Sequence, residues 1–218
     1  MTGNARSSGN ASAEAGCIYV VDDDQSVRES LSSLFRSVGY RVEVFGSTAD
    51  FMKMRRLDGS CCLVLDVRLP GVSGLDLQNH LNREQILIPI IFMTGHGDIP
   101  MSVRAMKAGA IDFLSKPFRD QDMLDAVAHA LETDRKRRSS EQSVSAVKTA
   151  FESLTARERE VMILVTAGLM NKQVAGKLEL SEITVKIHRG NVMRKMAAQS
   201  LADLVRMAEL LSLGATKS

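Results

Sequence analysis

Short apolar runs recur along the first 120 residues, each closed by polar groups. Cys17-Ile18-Tyr19-Val20-Val21 precedes Asp22-Asp23-Asp24, Cys62-Leu63-Val64-Leu65 precedes Asp66, Ile90-Ile91-Phe92-Met93 precedes Thr94, and Ile111-Asp112-Phe113-Leu114 lies just ahead of Lys116-Pro117. Amphipathic stretches alternate with these runs, which is the pattern of a doubly wound parallel sheet. The expected strands are 17–22, 41–45, 61–66, 88–94 and 111–115, with five helices. Ser47 with Asp50, and Ser73 with Asp76, read as helix starts, as does Asp98 ahead of Ile99-Pro100. Gly109 reads as a left-handed helix end, and the last helix starts near Asp120.

That helix carries an apolar stripe at Leu124, Val127, Ala128 and Leu131, after which Glu132 to Ser143 is almost wholly polar. A second stripe opens at Val144, Val147, Phe151 and Leu154. The stretch between them is either a solvated helix joining two domains or a hinge. From Leu154 to Leu213 every segment reads as helical. Thr155 with Glu158 forms a capping box, Gly168 ends that helix, Asn171 caps a second through Leu178, Ser181 caps a third through Met196, and Leu201, Leu204, Val205 and Ala208 mark a fourth. The second and third make a helix-turn-helix. The expected organisation is a disordered tail at 1–16, an α/β domain at 17–131, a helical linker at 132–152 and a small four-helix domain at 153–213.

A net charge of +2 is too small to name a partner, but it is unevenly spread. Residues 17–130 hold 12 basic against 15 acidic side chains, residues 151–218 hold 10 against 7, and this split predicts different tasks for the two halves. Three cysteines, Cys17, Cys61 and Cys62, match neither a disulfide framework nor a zinc site and read as small buried hydrophobes. No secretory leader and no run near the roughly 20 apolar residues of a membrane span are seen, so a reduced, cytoplasmic protein is expected.

Polar residues at the C-terminal ends of parallel strands converge on one crevice. Three carboxylates, a hydroxyl and an ammonium meeting there suit a divalent cation and a phosphoryl group. Asp66, alone at the end of the central strand, is the expected nucleophile of an aspartyl phosphate. Asp23 is expected to hold Mg²⁺ directly and Asp22 through water. Lys116, set before Pro117, aims an ammonium from a constrained turn. Taken singly, each of these acids would be better read as a cap or a turn residue.

Together, residues 17 to about 130 resemble the receiver domain of a two-component response regulator, a flavodoxin-like five-stranded fold. The resemblance implies that Asp66 accepts phosphate from a sensor histidine kinase and that the backbone carbonyl of Arg68 completes the Mg²⁺ shell. It also implies that Thr94 and Phe113 are a coupled switch, that Lys116 contacts the phosphoryl group, and that Lys116-Pro117 is cis. Met93-Thr94-Gly95-His96-Gly97-Asp98 and residues 101–109 resemble the FixJ subfamily. His96, flanked by glycines, reads as a mobile loop residue and not a base.

Leu154 to Glu158, Asn171 to Ala175 and Thr184 to Arg189 resemble the LuxR-type helix-turn-helix of FixJ and NarL regulators. On the third helix Ile183, Met193 and Met196 are taken as core. Lys186 is the expected base contact and Ile187 a partner for a thymine methyl, with Asn191 on the same outer face. Thr184, Arg189, Arg194 and Lys172 are expected on phosphates. His188 is divided between core and surface, and Gly190 departs from many relatives. Leu201, Leu204 and Val205 are expected to pair two DNA-binding domains.

The expected function is a non-enzymatic transcription regulator, switched by phosphate on Asp66, that dimerises and binds promoter DNA, with RNA polymerase as a further partner and a tilt towards activation. Two alternatives stay open. One is a phosphohydrolase, suggested by the acid-x-acid spacing of Asp22 and Asp24; the other is a phosphate-independent regulator whose first domain is a docking module.

Overall fold

The computed structural model describes residues 16–54, 59–95 and 99–211. They divide after Arg138 into two units. The tail at 1–15, His96 and the proposed cap Asp98 lie outside the described residues.

In the first unit β1 (Cys17–Val21), β2 (Arg41–Phe45), β3 (Cys61–Asp66), β4 (Ile90–Thr94) and β5 (Asp112–Ser115) form one parallel sheet in the order β2-β1-β3-β4-β5. This is the flavodoxin-like doubly wound order, whose switch point lies between β1 and β3. β4 starts two residues later than expected because Pro89 has no N–H to give; its carbonyl still accepts from Leu63.

The helices are α1 (Gln25–Ser37), α2 (Thr48–Lys53), α3 (Gly74–Arg83), α4 (Ile99–Lys107) and α5 (Asp120–Glu152). Ser47 and Ser73 cap α2 and α3, accepting from the N–H groups of Asp50 and Asp76. Gly109, at φ +92°, follows α4 in the left-handed region.

Alternation along β3 separates the two cores. Cys61, Leu63 and Leu65 face α2, α3 and α4 with Tyr19, Phe51, Leu77 and Phe92. Cys62 and Val64 face α1 and α5 with Phe35, Ile91, Met123 and Val127. All three cysteines are free and buried, and burial raises the Cys17 thiol to about 11, far from a reactive thiolate.

Of the two readings of the polar stretch after Leu131, a solvated helix or a hinge, the helix is the one that forms, and most of 135–143 is exposed; Asp134 is the exception. α5 runs unbroken through it, and Asp134 is wholly buried. Its carboxylate accepts from the Cys61 N–H at 2.9 Å and from the guanidinium groups of Arg137 and Arg138. The first residue of β3 is thereby tied to α5.

In the second unit, the end of α5 packs Val147, Ala150 and Phe151 against α6 (Ala156–Thr166), α8 (Glu182–Lys195) and α9 (Leu201–Leu210). α7 (Asn171–Leu178) closes a second cluster around Val161, Val174 and Val185. The Thr155–Glu158 capping box forms as read, and Glu158 also takes Lys195 at 2.6 Å. Met170, not Asn171, is the residue before α7; Gln173 Oε1 accepts its N–H, while Asn171 Oδ1 accepts from Arg189.

Two assignments on the helices need correction. Ile183 is 74% exposed, and the buried positions are Val185 and Val192 on α8 with Met196 just after it. These positions share one helix face, which Val185 anchors and Ile183 lies off. Leu204 is entirely buried within its own unit, leaving Leu201 and the half-buried Val205 as the outer part of the α9 face.

Replacing Asp134 by Ala takes the acceptor from the buried Cys61 N–H and one partner from each of Arg137 and Arg138. It is expected to lower the stability of the first unit by about 2–4 kcal/mol, read from urea unfolding of the full chain; a loss below about 0.5 kcal/mol would mean that β3 does not lean on α5.

Candidate functional site

The parallel register sets Val21 beside Leu65, so the next residues, Asp22 and Asp66, end neighbouring strands. Asp22 is fully buried, Asp66 nearly so, and Asp23 is exposed. Oxygens of these three carboxylates lie within 4.8 Å of one another, a donor set able to hold a metal ion. Lys116, just past β5, reaches across β4 and places Nζ 2.6 Å from both Asp22 Oδ2 and Asp66 Oδ2. Its own N–H donates to the Thr94 carbonyl, and the Lys116-Pro117 bond is cis.

Each carboxylate has its second oxygen fixed by backbone. The Asp24 N–H donates to Asp22 Oδ1 at 2.9 Å and the Arg68 N–H to Asp66 Oδ1 at 2.8 Å. The Arg68 side chain is exposed. Gly74 opens α3 directly against the Asp66 carbonyl, where a Cβ would stand 2.3 Å from that oxygen, so only glycine permits the approach. Asp24 accepts from the Ser26 N–H and hydroxyl, which hold its carboxyl below the usual range and make it the cap of α1.

Burial pushes the Asp22 carboxyl above its ordinary value; hydrogen bonds from Lys116 and Asp24 pull it back, and Asp66 adds repulsion. Burial by itself would lower Lys116, but its bonds to Asp22 and Asp66 outweigh that and hold the ammonium above its usual range. One cation thus faces two buried anions, an imbalance that a divalent ion would relieve.

Thr94 is fully buried at the end of β4. It follows Phe92 by two residues and so shares its sheet face, where Phe113 packs with ring centroids 6.3 Å apart. Arg28 was not singled out from the sequence. It lies on α1 and donates to the Asp22 and Asp23 carbonyls at 2.7 and 2.9 Å. A basic residue one turn into the helix after an acidic loop was the available sign.

On the second unit, Lys172, Lys186, Ile187 and Arg194 are exposed, and Thr184, Asn191 and Arg189 are half-buried. Ile183 joins Lys186 and Ile187 on the outer surface of the first turns of α8. Thr184 Oγ1 lies 2.8 Å from the capping Ser181 hydroxyl, and Arg189 is engaged with Asn171. His188 is half-buried, with its Nδ1 enclosed and unpaired. A Cβ on Gly190 would meet nothing within 4 Å.

Residues 18–128 match the family model of the response regulator receiver domain, and residues 152–208 that of the luxR family of bacterial regulatory proteins. The chain is 62% identical over 198 residues to nodulation protein W of Bradyrhizobium diazoefficiens, covering 91% of this chain and 87% of that protein. It is 41% identical over 193 residues to the transcriptional regulatory protein FixJ of the same organism, covering 88% and 94%. Among solved structures, the response regulator StyR superposes with a TM-score of 0.82 at 50% identity, covering 89% of this chain and 98% of that one.

A raised carboxyl pKa means that the contribution of Asp22 to stability is present below the unfolded value near 3.8 and is lost as pH rises through the folded one. At neutral pH Asp22→Asn is therefore expected to raise the melting temperature of the metal-free protein and to remove the further rise that a divalent cation gives the wild type. Thermal unfolding with and without the cation checks both; a destabilised Asp22→Asn would mean that the bond to Lys116 outweighs burial and repulsion.

Proposed function

The chain belongs to the response regulators that join a receiver domain to a luxR-type DNA-binding domain, and on that premise we propose that Asp66 is the phosphoacceptor whose modification drives dimerisation and operator binding. The carrying observation is the pairing of Lys116 with both Asp22 and Asp66 at 2.6 Å. A carboxylate oxygen of Asp66 attacks the phosphorus presented by a sensor histidine kinase; the new P–O bond forms as the P–N bond to the donor imidazole breaks. Lys116 then has a phosphoryl oxygen to hold in place of a carboxylate.

Asp22, Asp23, Asp66 and the Arg68 carbonyl would hold Mg²⁺, which neutralises charge on the transferring group when bound. Arg28 fixes the backbone of the acidic loop through two carbonyls. Thr94 moves towards the phosphoryl group and Phe113, on the same sheet face, follows. Ile99, Val103 and Met106 are exposed on one face of α4 at 79%, 43% and 45% and supply the apolar surface for a second copy. The phosphohydrolase alternative loses its second first-strand acid, because Asp24 is committed to Ser26.

In the second unit Lys186 and Ile187 read bases from the start of α8, with Thr184 and Asn191 at the edges of that surface and Lys172, Arg189 and Arg194 on phosphates. Leu201 and Val205 pair the DNA-binding domains on an inverted repeat. Contacts to RNA polymerase follow from activation of transcription. Among the described residues no helix is long and apolar enough to cross a membrane, and the family is typically cytoplasmic.

Light scattering on a sizing column, with Mg²⁺ and beryllofluoride, is expected to show a monomer becoming a dimer for the wild type and no change for Asp66→Asn. Phosphate chemically proven on Asp66 without that shift would sink the dimerisation step and leave the site. Lys186→Ala is expected to cost about 1–3 kcal/mol on one operator and to relax specificity, whereas Arg194→Ala weakens all sequences and lowers the salt slope by about 1. Equal loss on every sequence for Lys186→Ala would move that residue to the phosphates.

A further inference from the structure

The outer face of α8 holds more than one base-reading cation and one isoleucine. At 3.6 residues per turn, positions 183, 187, 190 and 194 fall within about 60° of arc, opposite the buried Val185 and Val192. The exposed stripe therefore runs Ile183, Ile187, Gly190, Arg194, with Lys186 on its flank.

Two features of this stripe serve nothing inside the chain. Ile183 and Ile187 are 74% and 60% exposed, and neither belongs to the apolar clusters of the second unit. Gly190 lies in the interior of a 14-residue helix, where glycine is weaker than alanine. Its φ is not left-handed, and a Cβ there would meet nothing within 4 Å, so neither conformation nor packing calls for glycine. An apolar ridge followed by a missing side chain suits a surface outside the chain that approaches α8 closely. The neighbouring cations select an anionic one: Lys186 and Arg194 border the stripe, and the first turns of the second helix in a helix-turn-helix enter the major groove. The apolar group which that groove displays on its base edges is the thymine methyl.

We propose that Ile183 reads a thymine methyl one helical turn before Ile187 reads another, and that Gly190, a turn further on, lets the α8 backbone lie directly against the DNA. The assignment deepens the reading of α8 as the DNA-contacting helix and rests on it. Side chains one turn apart have Cβ atoms about 5–6 Å from each other, and bases on one strand are spaced by about 3.4 Å. The two thymines therefore lie within two base pairs of each other in each half-site. Lys186 stands between the isoleucines in sequence and keeps its own base edge, so the half-site combines one polar contact with two apolar ones.

The test starts from duplexes enriched out of a random pool by the full chain with Mg²⁺ and beryllofluoride. Each thymine is then replaced singly by deoxyuridine, which lacks only the methyl. Two positions per half-site are expected to cost the wild type about threefold to tenfold each. One of these costs disappears for Ile183→Ala and the other for Ile187→Ala. Gly190→Ala is expected to melt at the same temperature as the wild type or higher, yet to bind about tenfold or more weaker, two changes that a purely structural role would not separate. The absence of any uridine cost that depends on Ile183, or Gly190→Ala binding as tightly as the wild type, would overturn the assignment and leave the DNA-contact reading standing. A dimer lost in Ile183→Ala on a sizing column, with affinity for a single half-site unchanged, would give the stripe to a second copy instead. Failure of the wild type to enrich any duplex would sink the DNA-contact reading and this assignment with it.

Discussion

Two buried carboxylates on adjacent strands have one ammonium between them, and much of the first unit is arranged around that shortage of positive charge. The register of β1 with β3 makes Asp22 and Asp66 neighbours, and hydrophobic strands keep water from diluting their repulsion. Lys116 answers part of it from beyond β5. The rest of the structure fixes groups that would otherwise drift apart: backbone N–H groups hold one oxygen of each acid, and Gly74 lets α3 close on the Asp66 carbonyl. The site is costly when empty of a cation, and that cost is what makes it responsive to one.

The sheet was legible because its three central strands are buried on both faces and end in or lead into polar residues, so both their existence and the convergence of their ends follow from the chain alone. Four of the side chains so identified, Asp22, Asp23, Asp66 and Lys116, do meet. Contacts running through backbone atoms were harder to read: Arg28 grips two carbonyls and left only its place one turn into α1 as a sign, while Gly74 touches a third carbonyl and left none. Asp24, which completed an acid-x-acid spacing with Asp22, is a helix cap, a distinction that depends on where α1 starts.

The second unit shows a different limit. α8 and the residue after it offer Ile183, Val185, Ile187, Val192, Met193 and Met196, more apolar positions than one face can bury. Choosing Ile183 for the core put the start of the helix one step out of phase; the face through Val185, Val192 and Met196 is the one that is buried. The exposed isoleucines left over stand beside Lys186, which gives the outer surface an apolar as well as a cationic character. Leu204 illustrates the converse, an apolar residue that looked available to a partner and is consumed by its own fold.

Asp134 bears on how such chains can be recombined. The apolar face of α5 that covers the sheet ends at Leu131, and a splice there would look harmless. It would strip β3, the strand that ends in Asp66, of the acceptor for its opening N–H. Modules exchanged in evolution or in the laboratory therefore have their natural seam after Arg138, and a receiver moved with its first seven linker residues carries its own keystone with it.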